Sequence, residues 1–239
     1  MPDTLQGLEI VLAGGSGGLG AAAVDLLAAG GARLTISYFS NAGRAQRFAD
    51  KAAIVQADLV KAADRVRLLD SAPSLYGLVV FTGDPSRVKD PAELEAAMLR
   101  AYEVNCAGPI MLAREAAERM RAAGTPGSIV LFSTMQAVSL FPGSTAYAAA
   151  KASLQHAARI LAKEMRAHNI RVNVIAPGAT AAGMAEASIA SGKYDRLLKE
   201  GLAPRFGKAI DVARAVRFFL EPDNYITGQV LSVDGGVTL

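Results

Sequence analysis

The chain has 239 residues, about half of them apolar, one cysteine and a formal net charge of only +3. That length holds one α/β domain with a substantial core, and basic residues scattered among acids rather than gathered in a stripe exclude a nucleic-acid-binding face. Cys106 alone excludes an internal disulfide, Met1 to Thr4 lack the basic start of a leader, and no run reaches the ~18 apolar residues of a membrane span, so a soluble cytoplasmic protein is expected.

Leu8 to Ala13 is a short apolar run that ends in a glycine-rich loop, Gly14, Gly15, Ser16, Gly17, Gly18, Leu19 and Gly20, and passes into the alanine-rich stretch Ala21 to Ala29. Strand, glycine turn and helix in this order is the setting of a dinucleotide-binding turn. Residues without Cβ let the backbone approach a pyrophosphate, and the helix start offers unpaired N–H groups to it. Gly30 and Gly31 close the helix, and Arg33 to Tyr38 reads as a β-branched second strand. The acid that commonly holds the adenosine ribose at this point is missing. Tyr38, Phe39, Ser40 and Asn41 stand there, with Arg44 and Arg47 beyond, a set that suits a 2′-phosphate and predicts NADP(H) over NAD(H), unless the two arginines merely solvate the next helix.

Ala52 to Ala57 is the third strand. Asp58, beside Leu59, either accepts from the adenine amino group or N-caps the helix that runs to Leu69, or does both. Tyr76 to Phe81 is a fully apolar fourth strand of the kind buried in a parallel sheet, leading to Thr82 and Gly83. A helical pattern spans Pro91 to about Ala123 with an expected break near Gly108-Pro109, and Asn105 just before it needs partners if buried. Gly127 to Phe132 is the fifth strand, followed by Ser133 and Thr134, and Ile170 to Ala176 is the sixth, followed by Pro177 and Gly178. The small residues Ala179 to Ser191 lack periodicity and read as a mobile flap, a segment expected to extend to about residue 200. A helix from Asp211 to about Leu220 and a strand from Gly228 to Val233 complete the pattern. Strands alternating with helices throughout predict a single doubly wound, mostly parallel seven-stranded Rossmann-type domain with helices on both faces.

Between the fifth and sixth strands, Tyr147 and Lys151 lie one helical turn apart on a common face, separated by three alanines. A phenol titrates near pH 10, so work as an acid or base at neutral pH calls for a nearby positive charge, which Lys151 is placed to supply. The pair is not specific on its own, since such spacing also arises on plain surface helices. The two histidines, His156 and His168, stand three turns apart without a Cys or carboxylate cluster, so no metal site is expected.

Together these residues resemble the short-chain dehydrogenase/reductase family over the whole chain, particularly its 3-oxoacyl-carrier-protein-reductase-like members. The family's glycine motif is matched from Ala13 to Gly20, its Tyr-x-x-x-Lys by Tyr147 and Lys151, its helix asparagine by Asn105, its Pro-Gly by Pro177-Gly178, and its ending by Ile226 to Gly236. The resemblance implies hydride transfer between nicotinamide and a small carbonyl or alcohol compound. Tyr147 would act as general acid/base, Lys151 would lower the phenol's pKa and hold the nicotinamide ribose, and Asn105 would position a water. It also implies a homodimer or homotetramer paired through the helices at about Pro91 to Ala123 and Thr145 to Ala167. Three positions depart from the pattern. Thr134 replaces the serine that steadies the substrate oxygen, and is preferred to Ser133 because successive strand residues point opposite ways. Val80 to Gly83 replaces Asn-Asn-Ala-Gly, and Ala182 replaces a threonine whose contact Thr180 is expected to take over. The first two departures support an alternative reading as a dinucleotide-binding regulator or scaffold with weakened chemistry. The substrate pocket is expected between Met135–Ser144 and the flap.

Overall fold

The structure, a computed structural model, describes residues 5–88 and 90–239; the leader reading of Met1 to Thr4 lies outside them. Among the described residues, seven strands, β1 (Glu9–Ala13), β2 (Arg33–Tyr38), β3 (Ala52–Gln56), β4 (Leu75–Val80), β5 (Gly127–Phe132), β6 (Ile170–Pro177) and β7 (Val230–Val233), form one sheet in the order 3-2-1-4-5-6-7. Every pairing is parallel, with Val11 opposite both Thr35 and Leu78. Among the described residues, nine α-helices accompany them: α1 (Gly18–Ala29), α2 (Ala42–Gln46), α3 (Ala62–Asp70), α4 (Leu94–Tyr102), α5 (Gly108–Ala123), α6 (Thr145–Met165), α7 (Glu186–Ala190), α8 (Asp195–Lys199) and α9 (Ala209–Leu220).

Strand alternation divides the core in two. Val11, Ala13, Leu78 and Val80 pack with Leu112, Ala116, Leu154 and Leu161 of α5 and α6 on one face. Ile10, Leu12 and Val79 pack with Val24, Leu27, Val216 and Phe219 of α1 and α9 on the other. Both faces of the central strands are thus covered, as the uninterrupted apolar run of β4 requires. Truncating Leu12 or Leu78 to Ala would cost about 2–5 kcal/mol. Arg171 on β6 ties α9 down: its guanidinium donates to the carbonyls of Phe219 and Glu221, both at 2.8 Å, satisfying groups that a helix end leaves unpaired.

The helical run beginning at Pro91 does not break at Gly108-Pro109. It starts as a 3-10 turn over Pro91–Glu93, continues as α4, widens into a π turn over Glu103–Ala107 and resumes as α5. A proline ring clashes with the carbonyl four residues back, here that of Asn105, and the wider turn relieves the clash without ending the helix. Asp58 is not the cap of α3, which begins at Ala62 behind Lys61. Its carboxylate instead accepts from Val60 N at 3.1 Å, closing a turn within the β3–α3 loop. The flap contains a 3-10 turn at Gly183–Ala185 and the short helices α7 and α8.

Candidate active site

The strand order reverses between β1 and β4, and a continuous groove of about 1380 Å³ opens at the carboxyl ends of the strands there. The predicted nucleotide-binding residues Gly14, Ser16, Gly17, Gly18, Leu19, Gly20, Tyr38, Phe39, Ser40, Asn41, Arg44, Asp58, Leu59, Thr82, Gly83, Pro177, Gly178 and Thr180 all line it, as do Thr134, Tyr147 and Lys151. Asn105 does not.

The glycines serve different purposes. Gly14 N donates to Ser37 Oγ at 3.1 Å, tying the loop to β2. A Cβ on Gly20 would fall 2.7 Å from Gly15 Cα, so this glycine seats α1 on its own loop. A Cβ on Gly18 would fall 2.6 Å from Gly183 Cα, so this one admits the flap backbone rather than only a ligand. α1 begins at Gly18 without a side-chain cap, leaving its first N–H groups to face the groove. At the end of β2, Asn41 Oδ1 caps α2 by accepting from Arg44 N at 2.9 Å. Arg44 and Arg47 are exposed on the groove wall, and neither forms an ion pair among the described residues.

α6 carries Tyr147 and Lys151 to the opposite end. Lys151 is only 2% exposed, and its Nζ donates to the carbonyls of Phe132 at 2.8 Å and Thr82 at 3.3 Å. Burial without a facing carboxylate brings its pKa down to about 8. Burial pushes Tyr147 up to about 12; neighbouring Tyr194 adds to the rise and the Thr134 hydroxyl pulls against it. The phenol is therefore harder to ionise than a free tyrosine, the reverse of the shift expected from Lys151. Thr134 and Ser133 do diverge. The Ser133 hydroxyl donates to Lys151 O and accepts from Gln155 Nε2, spending itself on α6, whereas Thr134 Oγ1 accepts from Gln136 N and faces Tyr147.

Asn105, fully buried in the π turn, clamps the loop after β4. Its Nδ2 donates to Asp84 O and its Oδ1 accepts from Asp84 N, both at 2.9 Å. Asn105 Oδ1 and Lys151 Nζ lie 3.0 and 3.5 Å from where a Cβ on Gly83 would sit, so they flank that glycine from two sides. Thr180, 2% exposed, donates to Gly178 O and packs on Gly207, which fixes the start of the flap.

Sequence reasoning missed two groups. Gln136 donates through Nε2 to Tyr194 OH at 3.2 Å and accepts from Ser144 Oγ through Oε1, building a polar corner beside Thr134. Only its place two residues after Thr134 hinted at it. Arg65, 6% exposed, pairs with Glu115 at 2.9 Å and donates to the carbonyls of Leu59 and Val60, holding the loop that contains Asp58. Nothing local marks that pair in the sequence.

The groove fits a dinucleotide. Thr82 Oγ1 is buried on its wall without a hydrogen-bond partner among the described residues, and such an atom implies an acceptor or donor supplied by a ligand. The uncapped start of α1 and an ammonium bound only to neutral carbonyls point the same way. Among the described residues no group of three His, Cys, Asp or Glu side chains is placed to hold a metal ion, and no helix is long and apolar enough to cross a membrane.

A family model described as Enoyl-(Acyl carrier protein) reductase matches residues 13–238. The chain is 30% identical to an NADPH-dependent aldehyde reductase-like protein, chloroplastic, of Arabidopsis thaliana, over 98% of this chain and 96% of the relative. It is 33% identical to carbonyl reductase family member 4 of Danio rerio, over 96% and 97%. A solved short-chain type dehydrogenase/reductase from Mycobacterium ulcerans superposes with a TM-score of 0.90 at 25% identity, over 98% of this chain and 90% of that one. With the sheet order, the glycine loop and the Tyr147–Lys151 helix in place, the chain belongs to the short-chain dehydrogenase/reductase family of NAD(P)-dependent oxidoreductases.

Proposed function

We propose that this protein reduces a small ketone or aldehyde, or oxidises the matching alcohol, with NADP(H) preferred over NAD(H). The observation that carries the reading is the convergence of the Thr134 and Tyr147 hydroxyls and the Lys151 ammonium at one end of a groove whose other end holds the glycine loop. When bound, the nicotinamide supplies or takes up the hydride at the reacting carbon. The chain's own residues manage the oxygen. Thr134 steadies it with a hydrogen bond, and Tyr147, kept protonated by burial, gives its proton to the alkoxide, which is the stronger base. Lys151, anchored by Phe132 O, presents its remaining N–H to a ribose hydroxyl and supplies positive charge as the phenolate forms. Asn105 acts as a positioning residue by fixing Gly83 and Asp84 beside Lys151.

The preference for NADP(H) rests on the acid-free end of β2 and the unpaired Arg44 and Arg47, which suit a 2′-phosphate. The NADPH-dependent Arabidopsis relative is consistent with it. Pairing of copies through α4, α5 and α6 is part of the same proposal, supported by Leu99, Tyr102, Met111 and Ile160 exposed on those helices. So is a cytoplasmic setting, which suits the single unpaired Cys106.

The experiment is to follow nicotinamide absorbance with NADPH or NADH and a panel of ketones and aldehydes. Oxidation favouring NADPH supports the reading. Tight cofactor binding with no oxidation by any carbonyl would instead identify a dinucleotide-binding regulatory protein.

A further inference from the structure

We infer that Gln136, Ser144 and Tyr194 form a recognition corner for a second oxygen on the carbon next to the reacting carbonyl, so that the substrate is a vicinal dicarbonyl or a 2-hydroxy ketone. The inference rests on the carbonyl-reductase reading and deepens it.

The corner stands out from its surroundings. The Tyr194 ring packs in an apolar cluster with Met135, Ala179 and Leu197 and is only 9% exposed, so its position is set by packing and only its hydroxyl reaches the polar chain. That hydroxyl meets Gln136 Nε2, and Gln136 Oε1 meets the Ser144 hydroxyl. Both neighbours of the amide are hydroxyls, so either orientation of the amide leaves one N–H and one O–H without an acceptor among the described residues. All three residues line the same groove as Tyr147. A wall that ends in spare donors, on the half-buried Gln136 and Ser144 and the buried Tyr194, selects an acceptor oxygen, because an analogue lacking it leaves those donors without that partner.

The backbone places that oxygen close to the first one. Thr134 caps the 3-10 turn Met135–Ala137, and Gln136 N donates to the Thr134 hydroxyl at 3.3 Å. The Gln136 side chain therefore leaves the chain beside the group that steadies the reacting carbonyl. Tyr194 lines the same groove as Tyr147 and Thr134, and its hydroxyl meets the Gln136 amide there.

The test compares kcat/KM for 2,3-butanedione with that for 2-butanone, and for hydroxyacetone with that for acetone, in the NADPH-loaded protein and in Tyr194→Phe and Gln136→Leu. A dione is intrinsically more electrophilic, but that advantage is common to all three proteins and cancels when the ratios are compared. Loss of one hydrogen bond to the second oxygen is expected to lower the ratio by about tenfold in each variant, mainly through KM. Tyr194→Phe keeps the ring packing, and an unchanged affinity for NADPH certifies the fold of either variant. If Gln136→Leu loses that affinity, Tyr194→Phe alone decides. A ratio that falls by less than about threefold overturns the inference while leaving carbonyl reduction intact. A wild-type protein that binds NADPH but turns over none of the four compounds overturns this inference, and it overturns the underlying reading as well only if no ketone or aldehyde of the wider panel is reduced.

Discussion

Gly183 Cα lies 2.6 Å from the place a Cβ on Gly18 would take, so the first turn of the flap rests directly on the first turn of α1. Any side chain at residue 18 must push the flap away from the groove. Gly18→Ala is expected to weaken NADPH binding by about tenfold while leaving the far-ultraviolet spectrum of the folded chain unchanged. Titration by nicotinamide fluorescence checks this, and an unaltered Kd would mean that the flap tolerates displacement.

The proposed preference for NADP(H) rests on two exposed guanidinium groups. Replacing Arg44 and Arg47 together by Ala is expected to weaken NADP binding by roughly tenfold at low salt, since each exposed charge contributes about 1 kcal/mol or less, with NAD binding changed far less. The difference should shrink as salt is added. Equal losses for both cofactors would show that the arginines support α2 rather than read a phosphate.

Lys151 carries a pH signature. Its folded pKa of about 8 lies below the ordinary value of 10.5, so the folded state binds fewer protons than the unfolded one between those values and stability rises with pH in that window. Lys151→Met lacks this titration, so the stability of the natural apoprotein relative to the variant is expected to rise by the order of 3 kcal/mol between pH 7 and pH 10.5. Tyr147, raised to about 12 from 10, works the other way, and stability falls between those values. Urea unfolding at a series of pH values separates the two. Reduction should also slow above about pH 8, as the ammonium is lost.

The loop that carries Asp58 hangs on Arg65. Removing this buried guanidinium strands Glu115 and two carbonyls, so Arg65→Ala is expected to cost about 3 kcal/mol, a loss that Arg65→Lys restores only in part. Denaturant midpoints measure it; a shift equivalent to less than about 1 kcal/mol would place the pair among ordinary surface bridges.

What could be read from the sequence was whatever is local. The strands β1, β2 and β5 announce themselves by apolar runs, the glycine loop by its place between strand and helix, and Tyr147 and Lys151 by a spacing that a helix turns into a shared face. The parts that escaped depend on distant partners. Asp58 looked like a helix cap because four residues alone do not reveal that Lys61 occupies the cap position. Gly108-Pro109 looked like a break because the π turn that accommodates the proline leaves no mark in residue type. Gln136 meets Tyr194 across 58 residues of chain and Arg65 meets Glu115 across 50, so no window-based pattern contains either pair. The sign of the Tyr147 shift was missed for a related reason. Residue spacing puts an ammonium one turn away, while the burial that raises the phenol is a property of the assembled groove.

The central claim is that the Tyr147 phenol delivers the proton to the carbonyl oxygen, and single-turnover oxidation of prebound NADPH by a reducible carbonyl tests it most directly. Tyr147→Phe keeps the ring and removes only the hydroxyl, so the rate should fall by about a hundredfold or more with NADPH affinity nearly unchanged. A variant that oxidises NADPH as fast as the natural protein would contradict the account.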